Sequence, residues 1–272
     1  MRIRWKATVI TFLTYIAVVL FIFPALWMVL TGFKTENQAY SAVPHLLFSP
    51  TLAQFALALH SSFLSYLGHS VAASLVSTAI AVLVGVPAAY AMVFHMPKKS
   101  SQNMLFFVLS TRFMPFAAII VPLYIIFLHI HILDTVTSLI IVYTAMNLPL
   151  VIWMARSYFM DVPMGIVEAS RIDGCTPLQS LLQIAAPISL SGLTASALLA
   201  IIFSWNDFFF AVNLTFTRSA TLPIMMSSFM SSEHLFLSKV SALGTLIAIV
   251  PIALGLYAQR HIVRGLTAGA VK

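Results

Sequence analysis

The sequence predicts an all-α integral membrane protein with six transmembrane helices and both termini on one side. Three observations carry this. The 272 residues are 61% apolar and only 8% charged, with a mean hydropathy of +1.01, too few polar side chains to coat a water-soluble globule. Six long runs nearly free of charge are separated by polar segments, and each approaches the ~20 residues that a helix needs to cross a bilayer core. Lys and Arg also gather in alternate segments, as they do when cytoplasmic loops are basic.

Taken in order, Arg2, Arg4 and Lys6 precede an uncharged run from Ala7 to Leu30. A signal peptide also starts basic and continues apolar, but this run exceeds a signal core and no small-residue cleavage pattern follows, so a retained first helix is expected. Thr31 to His69 is mixed, carries Lys34, Glu36, Pro44 and Pro50, and reads as a segment outside the bilayer with interfacial turns. The second run, Val71 to Val93, leads to a loop with Lys98 and Lys99. Arg112, Pro115 and Pro122 interrupt the third, Met104 to Leu128, and its prolines should bend it. After Asp134 comes the fourth, Val136 to Ala155, closed by Arg156. The fifth, Ile188 to Val212, contains Trp205, Asn206 and Asp207; a polar loop with Arg218, Pro223, Glu233 and His234 then leads to the sixth, Val240 to Tyr257, and a basic tail.

Between the fourth and fifth runs lies Asp161 to Pro187, too short and too polar to cross a membrane. Asp161 is expected to cap a short helix with Pro163 in its first turn, and Gly174 to end that helix in a left-handed conformation. Thr176 and Pro177 start a second helix with Leu178, Leu181, Leu182 and Ala185 on one face. The expected product is a helical hairpin at the membrane surface.

Orientation follows from counting. With the N-terminus inside, ten of the fourteen basic residues are internal: Arg2, Arg4, Lys6, Lys98, Lys99, Arg156, Arg171, Arg260, Arg264 and Lys272. Lys34, Arg218 and Lys239 are external, and Arg112 is within a span. Both termini and the 161–187 hairpin are then cytoplasmic, and the net charge of +7 is accounted for without nucleic acid.

Other classes find little support. One cysteine, Cys175, excludes an intrachain disulfide and a cysteine-cluster metal site. His129 and His131 are two apart, which does not bring them to one helix face, and no His-Glu-x-x-His spacing occurs. No Walker A glycine loop is present, so the chain is not expected to bind and hydrolyse ATP itself. A stand-alone channel or ion-coupled carrier is the rival class; it predicts acids at midplane depth in several helices, where only Asp207 lies within a span.

Glu168-Ala169-Ser170, two residues, Asp173-Gly174, nine residues, Ile184, one residue, then Ala186-Pro187 resembles the EAA loop of ABC importer permeases. Ser170 stands where that family has Ala and Ala186 where it has Leu. Ala88-Ala89-Tyr90-Ala91, Pro122-Leu123-Tyr124, Trp205-Asn206-Asp207-Phe208 and the ending Val263 to Lys272 extend the likeness to the carbohydrate branch, the maltose-type second permease subunit in particular. His69-Ser70 departs from the Asn-Ser common there.

The resemblance implies an ABC importer type I permease fold: one permease domain over residues 1–272, with a coupling loop at 158–187 and a cytoplasmic tail at 259–272. It also implies a non-catalytic subunit in a prokaryotic cytoplasmic membrane, importing a sugar, oligosaccharide or polyol. Its partners would be a second, related permease in a heterodimer, two ATP-binding cassette ATPase subunits that hold ATP and Mg, an extracytoplasmic substrate-binding protein, and lipid. Glu168, Ala169, Ser170, Arg171, Asp173 and Gly174 would form the joint with the ATPase, against the plainer reading of a solvated interfacial hairpin. The loop from Asn213 to Lys239 would reach into the binding protein, and the tail with Arg264 and Lys272 would lie between the ATPases.

Five residues are candidates for the substrate pathway. Arg112 is a costly intramembrane cation, which either faces a polar cavity or bonds carbonyls freed by Pro115 or a partner subunit. Counted along straight spans it stands roughly 15 Å from Asp207 in depth, too far to pair. Trp205, Asn206 and Asp207 suit a sugar ring, although an interfacial belt also explains the Trp. Asn147 is either a pathway residue or a hydrogen bond to a neighbouring helix.

Overall fold

Long apolar runs without water to bond their amides must satisfy them internally, which helices do, and the computed structural model is helical throughout its regular segments. It describes every residue except 1, 42, 44, 45, 61, 231–235 and 270–272, and every described side chain except those of 2–4, 6 and 260–269. In chain order the helices are α1 Arg2–Gly32, α2 Glu36–Ala39, α3 Ala53–His60, α4 Phe63–Phe94, α5 Lys98–Ser110, α6 Phe116–His129, α7 Val136–Met160 and α8 Met164–Ile172. They continue as α9 Pro177–Ser180, α10 Ala186–Ile188, α11 Leu190–Trp205, α12 Phe209–Leu214, α13 Leu222–Ser228 and α14 Leu237–Gly269.

Among the described residues, four stretches are long and apolar enough to cross a membrane alone: Ala7–Gly32, Phe63–Phe94, Val136–Met160 and Leu237–Gln259. Two more pass only as bent pairs: Lys98–Phe113 with Phe116–His129 turns by 86°, and Pro177–Ile188 with Leu190–Trp205 by 87°. The chain is thus a multi-pass membrane protein of four to six spans. The expected bend of the third run is present and sharper than a kink, because Thr111–Phe113 tighten into a 3₁₀ turn and Pro115 starts a new helix. The fifth run, expected to be continuous, breaks at Ser189, just after Pro187, and again at residues 206–208. The second helix starts at Phe63 rather than Val71, because the polar groups of His69 and Ser70 find partners without leaving the helix: an imidazole nitrogen bonds the Ala220 carbonyl at 3.0 Å, and the Ser70 hydroxyl accepts the Leu222 amide at 2.9 Å.

The contacts divide the chain into two units. In the larger, residues 65–224 with 251–272, α7 is the central strut. Leu139, Tyr143, Asn147, Val151, Ala155 and Phe159 recur every fourth position and are each at most 1% exposed, a ridge along one face. The facing stripe of α11, Gly192, Ser196, Ala200 and Ser204, has the same spacing and only small side chains, so the backbones approach closely. A second group, Ala73, Phe127, Val142, Phe210, Ala211 and Leu214, packs around the start of α7. Asp134, in a left-handed conformation (φ 55°), ties that end together: its carboxylate accepts the amides of Phe216 (2.8 Å) and Arg218 (3.2 Å) and the Ser219 hydroxyl (3.2 Å). Burial works against its charge, but these bonds together with that from the Thr217 amide hold the carboxyl below the usual carboxylate range.

In the smaller unit, residues 1–64 with 225–250, Gly32 of α1 lies against the backbone of Ala242 in α14. Glu36 accepts the amides of Ser238 and Lys239 at 3.1 and 3.0 Å, capping the positive end of α14 with a carboxylate. Lys34 is 2% exposed and lies 4.2 Å from the centre of the Trp27 ring.

Candidate functional site

The 161–187 segment forms the expected hairpin, with one correction at its start. Asp161 does not cap α8; it closes α7, which runs on through Met160, and Pro163 stands at the N-cap with no side-chain bond. The turn matches expectation. Gly174 has φ +87°, the Cys175 amide bonds the Ser170 carbonyl at 2.9 Å, and the Gly174 amide bonds that of Arg171 at 3.1 Å, the paired bonds of a Schellman motif. Thr176 then caps α9, exchanging bonds with Gln179 in a capping box. The expected apolar face splits: Leu181 and Ala185 are buried, while Leu178 and Leu182 are exposed. A π turn at Leu181–Ala185 widens the helix there and shifts the register.

Val167, Leu181 and Ala185 sink into the same core as Tyr90 and Phe94 of α4 and Phe159 of α7. Ser170, at the position where an Ala was expected, is 3% exposed and its hydroxyl meets that of Ser180 at 2.8 Å, locking α8 to α9. Arg171 donates to the Phe94 carbonyl at the end of α4 (3.0 Å) and stands 3.4 Å from His95 Nε2. Burial, then the guanidinium of Arg171, holds the His95 pKa below its ordinary value. The Ser189 hydroxyl donates to the Tyr158 carbonyl of α7 at 3.4 Å. Glu168, Ala169 and Asp173 face outward with Ile172, which is 88% exposed. The hairpin is therefore braced on the ends of α4, α7 and α11 while a mixed polar and apolar face stays open. Neither the Arg171 tie nor the Ser170 lock was visible in the sequence, since each joins positions distant or unremarkable in spacing.

The five intramembrane candidates fall into two groups. Asn147 is wholly buried, donating to the Ser204 hydroxyl (2.7 Å) and the Ala200 carbonyl (3.2 Å), so its amide nitrogen is spent on joining α7 to α11. Trp205 is 3% exposed, inside the bundle rather than on an interfacial belt. Asn206 is exposed and donates to the Ile202 carbonyl. Asp207 accepts the Tyr143 hydroxyl at 3.0 Å and the amides of Phe210 and Ala211 at 3.1 and 3.2 Å, which places its carboxylate at the start of α12. None of these bonds comes from Arg112, as the depth count anticipated.

Arg112 stands at the α5–α6 break with its guanidinium carbon 5.6 Å from the centre of the Phe203 ring. Phe203 stands four residues before Asp207 in the chain, on the other side of the end of α11 at Trp205. Arg112 borders a cavity of about 230 Å³ between the break and residues 141–146 of α7. Its Nη1 is buried and has no hydrogen-bond partner among the described residues, so the carbonyls freed by Pro115 do not take it up. Among those residues no group of three or more His, Cys, Asp or Glu is placed to hold a metal. The side chains of Arg264 and Lys272, and of Glu233 and His234 in the 213–239 loop, lie outside the described residues.

Residues 81–268 match a protein family described as the binding-protein-dependent transport system inner membrane component. The chain is 35% identical to the trehalose transport system permease protein of Mycobacterium tuberculosis, over 77% of each chain. It is 31% identical to the sulfoquinovosyl glycerol transport system permease protein of Agrobacterium fabrum, over 92% of this chain and 89% of that one. In fold it is similar to a chain from the crystal structure of a bacterial ABC transporter involved in the import of the acidic polysaccharide alginate, with a TM-score of 0.75 at 18% identity, covering 94% of this chain and 96% of that one.

Proposed function

The chain belongs to the family of binding-protein-dependent transport system inner membrane components, and from that premise we propose that it is the permease subunit of an ATP-driven importer of a saccharide. Relatives named for trehalose and for sulfoquinovosyl glycerol transport support that cargo class. Six spans, taking each bent pair as one, would place both termini in the cytoplasm of a prokaryotic cell and give half of a pore completed by a second, related permease. An extracytoplasmic binding protein delivers the saccharide. Two ATPase subunits bind ATP and Mg, and this chain performs no chemistry of its own.

The observation that carries the proposal is the braced hairpin. Glu168, Ile172 and Asp173 offer an open face, while Val167, Arg171, Leu181 and Ser189 anchor the same body to three long helices. A short helix so held moves as one piece with whatever socket grips it, and passes the displacement to the ends of α4, α7 and α11. ATP-driven closure of the ATPase pair would thereby open the pore outward to receive the sugar, and hydrolysis would reset it inward.

The test is reconstitution of the chain with its second permease, ATPase and binding protein. Glu168→Ala should lower saccharide-stimulated ATP hydrolysis and uptake together. Cys175, the sole cysteine and partly exposed in the hairpin, tests the topology: a membrane-impermeant maleimide should label it in inside-out vesicles and not in intact cells. Transport by the purified chain alone, or labelling from the cell exterior, would refute the proposal.

A further inference from the structure

A guanidinium at the depth of a helix break is expensive unless an anion or several acceptors compensate it. Arg112 is only partly compensated. One face lies toward the ring of Phe203, yet Nη1 is buried and meets no acceptor among the described residues. The cavity beside it is walled by apolar side chains, among them Met114, Phe116, Ile119 and Phe210, and contains no carboxylate. Thr111, its other polar lining residue, has already given its hydroxyl proton to the Val108 carbonyl at 2.7 Å. Asp207, the acid within the spans, is committed to Tyr143 and to the amides that open α12. What remains is an apolar, partly aromatic pocket with one cationic donor facing no anion of its own.

Such a pocket does not suit a neutral sugar. Hydroxyl groups alone would leave a full positive charge without a counter-charge in a low-dielectric site. A carboxylate or sulfo group satisfies the guanidinium with charge-assisted, commonly paired hydrogen bonds. At about 230 Å³ the cavity falls below the ~300–1,000 Å³ of sites that enclose a whole ligand, so it fits one unit of a larger molecule. We propose that Arg112 and this cavity form a subsite for the acidic group of an anionic sugar unit, with the exposed ring of Phe116 packing against the sugar. This rests on the chain's being a saccharide permease, and it narrows the cargo to acidic saccharides.

The experiment uses the assembled importer in detergent, with galacturonate as anionic probe and galactose as neutral probe. Ligand-induced stabilisation is titrated for wild type, Arg112→Gln and Arg112→Lys. The wild type should half-saturate with galacturonate at a concentration ~10-fold or more below that for galactose, about 1.4 kcal/mol of discrimination. Arg112→Gln should bring the two within twofold, and Arg112→Lys, which keeps the charge without the planar fork, should fall between. Equal response to both sugars in the wild type, or a preference unchanged in Arg112→Gln, overturns the subsite while leaving saccharide transport intact. Response to neither sugar, together with no saccharide uptake in vesicles, overturns the transport reading and this proposal with it. Native mass spectrometry gives an independent check: an anionic phospholipid retained by wild type and lost from Arg112→Gln would make the site a lipid site and refute the proposal. Failure of both variants to assemble with the second permease would make Arg112 an interface residue, with the same result.

Discussion

Adding one methyl group at Gly174 should loosen the hairpin, and adding the same group at Gly165, nine residues earlier, should tighten it. A Cβ at either position meets nothing within 4 Å, so neither change introduces a clash. The difference is in the backbone. Gly174 sits at φ +87°, where an L side chain costs about 1–2 kcal/mol, while the restricted unfolded chain returns roughly 0.4–1 kcal/mol. The net of about 1 kcal/mol corresponds to an approximately fivefold loss in occupancy of the turn. Gly165 lies in the first turn of α8, where Gly is still worse than Ala, by up to about 1 kcal/mol. Amide hydrogen exchange over the 164–180 segment reads both directly, because the turn closes through the Gly174 and Cys175 amides. Gly174→Ala should exchange about fivefold faster there and Gly165→Ala more slowly. Gly174→Asn, whose side chain tolerates the left-handed region, should lie close to wild type. Stimulated ATP hydrolysis in the reconstituted complex should follow the same order for the three residues tried at 174. If both alanine variants shift exchange in the same direction, or if Asn at 174 is as damaging as Ala, the left-handed turn is not what holds the hairpin.

Three further outcomes follow from the packing and from the titrating groups. In Gly192→Ala the new Cβ would stand 2.0–2.4 Å from ring carbons of Tyr158, so α11 must move off α7 at a cost of about 1–3 kcal/mol; thermal unfolding should show this, and Tyr158→Ala in the same chain should recover part of it. Asp134, whose folded pKa is depressed, contributes stability in full above the ordinary value of 3.8 and loses it as pH falls through the lower folded value. The stability gap between wild type and Asp134→Asn should accordingly close as pH drops below ~4, and a gap that persists unchanged would show that the charge is not what the Phe216 and Arg218 amides require. His95 is also depressed, so the unfolded chain takes up its proton first as pH falls below 6.5. Stability should therefore decline on acidification from that point, and His95→Gln should remove this component of the pH dependence.

Much of the fold was legible where one short-range rule acts alone. The apolar runs, the Pro115 interruption, the Gly174 turn and the Thr176 cap each depend on residues within a few positions of one another, and each is present. Where two elements compete for one residue, short-range rules gave the wrong owner. Asp161 has the chemistry of a helix start but closes the helix before it, and His69 and Ser70 read as a boundary but are helical because the 220–222 segment supplies their partners. The π turn at 181–185 carries no local signal; it reconciles the buried Leu181 and Ala185 with the bend at Ser189. One signal in the site went unused. Asn147 falls in register with Leu139, Tyr143, Val151, Ala155 and Phe159 at a period of four, which puts it on the packing seam.

On the proposed function, the positions of the breaks set the route by which an input at the hairpin would reach the cavity. Pro149 lies inside α7 without interrupting it, so that helix is one continuous strut from the region of Tyr143 and Asp207 to that of Tyr158 and the hairpin. The cavity abuts residues 141–146 and the Ser189 hydroxyl bonds the Tyr158 carbonyl, a separation of roughly 20 Å along the helix at 1.5 Å per residue. Besides α7, α11 also reaches both ends: it leaves the hairpin at the Ser189 bend, carries Phe203 beside Arg112, and ends before the turn that leads to Phe210 on the cavity wall. Its contact with α7 is a stripe of Gly192, Ser196, Ala200 and Ser204, whose small side chains interlock less deeply than branched ones and so resist a small sliding motion less. The Asn147 bonds to Ala200 and Ser204 oppose that motion near the far end of α11, and the Ser189–Tyr158 bond opposes it at the near end. On the proposed function, a displacement applied to the hairpin would enter α11, a helix of sixteen residues, and the groups at its far end are those that stand beside the half-buried Arg112.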